Sequence, residues 1–151
     1  MKGPTLHYMS PAEYNTAGTN WAPHLDAALA VRQDVVRHII GRPLYNSPVD
    51  GAVGRHAGQS DKSQHNVDYY GSVRAADFFV PGAPAAEVVT AMMQAGFTGI
   101  GVYPGGLWKG EQETRYHGDV RSDRSPSDPA TWGFIDGRTV SIEEAVAAAV
   151  R

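Results

Sequence analysis

Few residues in this chain can do chemistry. There is no cysteine, so disulfide frameworks, thiol nucleophiles and Cys-type zinc fingers are excluded. Metal ligation and acid–base work fall to histidine, aspartate and glutamate. Of the six histidines, two stand in unusual company. His65 lies in Ser63-Gln64-His65-Asn66, at the end of a polar, glycine-rich stretch. His117 lies in Tyr116-His117-Gly118-Asp119, where strand alternation puts His117 and Asp119 on one face. Between them Asp77 interrupts an apolar run, Ala75-Ala76-Asp77-Phe78-Phe79. A carboxylate buried in such a run is costly unless it is paired, capped or bound to a metal. Two imidazoles and a carboxylate make a three-ligand zinc site whose fourth position is open to water, as catalysis requires. The residues alone favour the plainer alternative, in which Asp77 pairs with Arg74 or Arg121 and both histidines are ordinary hydrogen-bonded side chains.

The elements that must position these residues are legible in outline. Ser10-Pro11-Ala12-Glu13 reads as a capping box that starts a short helix ended by Gly18. A longer helix follows, with Pro23 near its start and an apolar stripe of Leu25, Ala28, Leu29, Val35, Val36 and Ile39. Gly41 and Pro43 close it, and His24 and His38 sit on it as surface or cap residues. Residues 46–66 show no clean period, which is the mark of a binding or active-site loop. Residues 72–80 read as a buried strand. A helix then places Val88, Val89, Met92 and Met93 on one face and stops at Gly96. The glycines of the short strand at 98–103 point to a close backbone approach or a bulge. Residues 115–121 form a further strand, and 132–140 a hairpin turning at Asp136-Gly137. Ser141-Ile142-Glu143-Glu144 opens an alanine-rich C-terminal helix. The order predicts an α+β domain spanning residues 1–151, with an antiparallel sheet covered mainly on one face.

Composition narrows the function classes. Of 151 residues, 42% are hydrophobic and 19% charged, which is globular rather than disordered. Seventeen glycines and ten prolines favour a loop-rich fold over a helical bundle. The net charge is −3 and the basic residues form no block, which disfavours a nucleic-acid partner. No segment approaches the ~20 apolar residues of a membrane span. The segment Met1–Ser10 has no signal-peptide core, so synthesis in the cytoplasm without a signal peptide is expected.

Taken together, Ser63-Gln64-His65-Asn66, Gly71-Ser72-Val73-Arg74-Ala75-Ala76-Asp77 and Tyr116-His117-Gly118-Asp119 resemble the zinc D-alanyl-D-alanine carboxypeptidase-like family, which groups with lysostaphin- and hedgehog-type metallopeptidases. The family pattern is S-x-H, then G-x-A-x-D, then a later histidine, often as H-x-D. Here the second segment matches with one residue of slack. The gap from His65 to Asp77 is expanded, a form that resembles bacteriophage proteins. Residues 6–14 resemble the family's opening segment, residues 25–40 the helix before its substrate loop, and Gly99-Ile100-Gly101-Val102-Tyr103 the strand before the last ligand.

The resemblance implies a small antiparallel sheet with helices mainly on one face, and Zn2+ held by His65, Asp77 and His117. It implies a peptidase of carboxypeptidase or endopeptidase type, acting at the bacterial cell wall as an endolysin or virion component. Its substrate would be a peptidoglycan stem peptide containing D-amino acids, cleaved by a zinc-bound water. Other phage structural proteins are implied as partners, and a membrane is not. Arg55 is the nearest counterpart of a family arginine that binds the substrate carboxylate or the oxyanion. Asp119 and Arg121 are placed behind the ligands; Tyr116 and Trp132 are either pocket walls or, as is commoner for aromatics, core packing. The chain departs from the family at Thr114, where many relatives carry the acid that serves as general base. Glu113 is the nearest replacement, provided the backbone between Gly110 and Tyr116 is irregular. That departure supports an alternative, a non-catalytic zinc-containing structural or cell-wall-binding module of a phage particle.

Overall fold

Capping residues and glycines cut the chain into the elements of the computed structural model, which describes residues 6–149. The first half of the Met1–Ser10 segment, read above for a signal peptide, lies outside the described residues. The capping box at Ser10 forms, with the Ser10 N–H donating to Glu13 Oε2 (2.7 Å), but it starts a 3-10 turn over Pro11–Tyr14 rather than an α-helix. The chain then reverses at Ala17-Gly18 between β1 (Asn15–Thr16) and β2 (Thr19–Asn20), so Gly18 is a turn residue and not a helix stop. Pro23 and His24 fall in a second 3-10 turn, Ala22–His24, ahead of the long helix. That helix, α1 (Ala27–Ile40), begins where the Asp26 carboxylate accepts the Ala28 N–H (2.9 Å), and ends at Gly41 in the left-handed region.

The remaining elements are β3 (Tyr45–Asn46), α2 (Val67–Tyr70), β4 (Ala75–Phe79), α3 (Ala85–Ala95), β5 (Gly99–Tyr103), β6 (Leu107–Trp108), β7 (Glu111–Gln112), β8 (Arg115–Asp119), β9 (Ala130–Ile135), β10 (Arg138–Val140) and α4 (Ile142–Ala148). The hairpins β1–β2, β6–β7 and β9–β10 all turn on an X-Gly pair with positive φ at both residues, as type I′ turns require. The β6–β7 hairpin has no counterpart in the sequence reading.

The main sheet has six strands in the order β10-β9-β5-β8-β4-β3. This corrects the expected small antiparallel sheet: it is larger, and it is mixed because β5 and β9 pair in parallel. The cause is topological. β8 inserts between β4 and β5, antiparallel to both. The chain then skips over β5 and returns on its far side, which makes β9 antiparallel to β8 and parallel to β5.

Register assigns the two faces. One face carries Ala76, Phe78, Ile100, Val102 and Tyr116, buried under α3 and α4. Gly118 lies against Phe97 and Met92, and Gly133 against Ala145 of α4. Each fully buried large side chain here contributes about 1.5–3 kcal/mol relative to exposure. α1 packs beside α3, where Arg32 Nε donates to the Gly96 carbonyl (2.8 Å). On the opposite face, one row runs straight across four strands: Asp77, His117, Gly101 and Trp132.

Candidate metal centre

Register alone sets two of the candidate ligands side by side, because Asp77 of β4 and His117 of β8 are directly paired. The third comes from the loop before α2. Asn66 organises that loop through four hydrogen bonds, donating to the carbonyls of Gly58 (2.8 Å) and Asp61 (2.7 Å) and accepting from Ala57 N–H (3.0 Å) and Asp68 N–H (3.1 Å). A primary amide has two donors and two acceptor lone pairs, so this buried side chain is saturated. The Arg55 backbone brackets the neighbouring residue: its N–H donates to the His65 carbonyl (3.0 Å) and its carbonyl accepts from Val67 (3.0 Å). His65 is thereby held over the sheet.

The three side chains converge. Each offers one ligand atom, and all three atoms lie within 4.8 Å of one another. Among the described residues no other set of three meets this condition. Asp77 Oδ1 stands 3.1 Å from His117 Nδ1 and 3.5 Å from His65 Nε2. Two ligands on a tetrahedral zinc at about 2.1 Å are about 3.4 Å apart, so both separations fit such an ion.

The outer nitrogens decide the matter of orientation. His65 Nδ1 donates to the Val53 carbonyl (2.8 Å), and His117 Nε2 lies 2.7 Å from Asp119 Oδ2. Each imidazole therefore has one nitrogen anchored to an oxygen and the other turned toward Asp77, the arrangement that metal-binding histidines adopt. Asp119 is itself fully buried and clamped by Arg121 through three bonds, the backbone N–H to Oδ1 (3.1 Å), Nε to Oδ1 (2.8 Å) and Nη2 to Oδ2 (2.6 Å).

Burial would push the Asp77 carboxyl up, but the hydrogen bonds from His117 and His65 outweigh it and hold the group well below the usual carboxylate range. Asp119 is held low in the same way, with Arg121 and His117 opposing its burial. Burial would lower His117, yet Asp119 and Asp77 on either side raise it to about 9. Two carboxylates around one imidazole thus favour positive charge at this point, and a divalent cation answers the same demand. The His-Asp-His group could hold a metal.

The cluster opens into a cavity of about 360 Å3, with Arg55, Lys62, Arg121, Tyr103 and Trp132 among its walls. Glycines shape it. At Gly101 a β-carbon would meet the Trp132 indole at 2.7 Å, and at Gly99 it would collide with the Asp119 carboxylate. The close approach expected of this strand is therefore real, and it makes room for Trp132 and Asp119.

The other sequence-derived residues are placed as follows. Arg55 lines the cavity and its Nη2 donates to Ser63 Oγ (2.6 Å). Arg74, an alternative partner for Asp77, instead stacks on Tyr70 and donates to the Val120 carbonyl (3.1 Å). Trp132 is a wall, with its ring 5.1 Å from that of His117, whereas Tyr116 is buried in the core beside Phe78. Glu113 is buried, with its backbone carbonyl against Gly106, and is not among the residues lining the cavity. It lies four residues before His117, about 13 Å on an extended backbone. Thr114 is buried next to Tyr116. Sequence reading missed Tyr103, whose hydroxyl accepts the Trp132 Nε1–H (2.9 Å). Its signal was the two-residue period that puts it on the face of Gly99 and Gly101.

No helix among the described residues is long and apolar enough to cross a membrane. Comparison with family models, with curated proteins and with solved structures finds no match to this chain.

Proposed function

We propose that the chain is a zinc-dependent peptidase that hydrolyses peptide bonds in D-amino-acid-containing peptidoglycan stem peptides at the bacterial cell wall. The observation that carries this reading is the convergence of His65, Asp77 and His117 with both outer imidazole nitrogens anchored. Zinc at such a site supplies a Lewis acid for a carbonyl oxygen and brings the pKa of a water toward ~7. The chain's own residues do the rest. Val53 and Asp119 fix the imidazole orientations, and Asp119 is kept ionised by Arg121. Arg55 and Lys62 draw an anionic peptide into the cavity, and the Arg55 fork suits a terminal carboxylate. The Tyr103 hydroxyl accepts from Trp132, which leaves its own proton to donate toward a carbonyl oxygen.

A second reading has a specific observation behind it. Among the described residues Asp77 is the one carboxylate that lines the cavity, and Glu113 is not in its walls. A non-catalytic zinc-containing structural or cell-wall-binding module of a phage particle would need none.

Metal analysis of the purified protein, followed by incubation with peptidoglycan and mass spectrometry of the fragments, separates the two. One zinc per chain together with new peptide termini is the expected result, and Asp77→Ala should lose both. Zinc without cleavage selects the binding module. Stoichiometric zinc in Asp77→Ala would refute the ligand assignment.

A further inference from the structure

A second cavity, of about 450 Å3, shares Tyr103 with the first and is lined also by Gly106, Gln112, Arg115, Phe134 and Asp136. Arg115 stands out in it. Its guanidinium stacks on the Tyr103 ring at 4.6 Å, and its Nε is buried with no hydrogen-bond partner among the described residues. That Nε is closed to solvent, so an incoming acceptor meets the Nη end of the guanidinium, and a carboxylate is the acceptor that matches it. Among the described residues lining it, Asp136, at the β9–β10 turn, is the acid and Arg115 the one cation.

Position says what such an anion belongs to. Arg115 pairs with Tyr103 across β5–β8 and with Phe79 across β4–β8. It is the next residue on the same face as His117, which is about 6.8 Å away along the strand. Same-side side chains of an extended peptide recur at that same spacing.

We infer that Arg115 forms a specificity subsite for an acidic residue of the substrate, two residues from the peptide bond presented to His65, Asp77 and His117. This rests on the peptidase reading for the substrate class, and on the Arg115 guanidinium in the cavity wall for the charge. The guanidinium acts by binding alone and takes no part in bond cleavage.

The test uses two fluorescently labelled pentapeptides ending in D-Ala-D-Ala, identical except for Glu or Gln two residues before the terminal bond's acyl residue. Binding is followed by anisotropy, with and without added zinc, and cleavage is scored separately. The parent protein should bind the Glu peptide about tenfold or more tightly, the scale of a lost charge-assisted pair. Arg115→Gln should abolish the preference, and Arg115→Lys should retain part of it. Equal binding of the two peptides by the parent, or an unchanged preference in a folded Arg115→Gln, overturns the subsite. The parent's own preference is read without any variant, so a poorly folding substitution does not remove the test. A preference that depends on Arg115 without any cleavage upholds the subsite and sinks the peptidase reading instead.

Discussion

Gly99→Ala is a one-methyl change with a large expected effect. Gly99 sits in β5 without a positive φ, directly opposite Asp119 of β8, and a β-carbon there collides with the Asp119 carboxylate. On backbone grounds alone, alanine should be better than glycine inside a strand by about 0.5–1 kcal/mol. The collision reverses the sign. Asp119 cannot move without giving up its three bonds from Arg121 and the one to His117 Nε2, and breaking a buried ion pair costs about 3–5 kcal/mol. The net loss is about 2–4 kcal/mol. At roughly 2–4 °C per kcal/mol for a chain of this size, the melting temperature should fall by about 5–15 °C. On the proposed zinc site, affinity for the metal should drop about 10–100-fold, because His117 loses the group that orients it. Gly105→Ala is the control: a β-carbon there meets nothing within 4 Å, and a change within about 0.5 kcal/mol is expected. Thermal melts and a competitive zinc titration of both variants read the two effects. A Gly99→Ala protein that melts at or above the parent would refute the claim that Asp119 needs this space.

Two further predictions address other parts of the chain. Glu113→Gln should leave zinc content unchanged and peptide turnover within about twofold of the parent, since the side chain does not line the cavity; a loss of roughly 10²-fold, the scale of acid–base catalysis, would restore it as the base. Asp34 of α1 accepts the backbone N–H groups of His7 (3.1 Å), Tyr8 (2.7 Å) and Met9 (2.7 Å). Burial opposes its charge, but these bonds prevail and lower its pKa. Its stabilisation is therefore complete above its ordinary value of 3.8 and is lost as pH falls below it. Asp34→Asn should cost about 1.5–3 kcal/mol at pH 7, and denaturant curves of variant and parent should converge as the pH is lowered through that range.

The legible parts of the fold were those set by neighbours in sequence. Gly41 and Gly96 end their helices in the left-handed region, Asp136-Gly137 turns its hairpin, and Ser141 caps α4, because these devices act within four residues. Asp77 drew notice as a charge in an apolar strand, and His117 and Asp119 as a two-residue pair. The parallel β5–β9 pairing was hidden, since alternation marks a strand but does not name its neighbour. The β6–β7 hairpin was hidden too, because two-residue strands have no period to read. That omission matters for Glu113, whose position beside Gly106 follows from the hairpin. Arg115 was seen only as a strand residue, and its unpaired Nε is a property of the packed cavity.

The insertion of β8 between β4 and β5 also dictates an order of assembly. A chain emerging from the ribosome as far as Gly110 already contains α1, α3, β4 and β5, with two of the three donors, yet β4 and β5 are not neighbours in the finished sheet. The seam between them stays open until the residues of β8 arrive and bring His117, forty positions after Asp77. Non-local pairings of this kind form slowly, after local contacts have condensed. Convergence of the full triad is thus a late event in the life of the nascent chain, and it coincides with closure of the centre of the sheet.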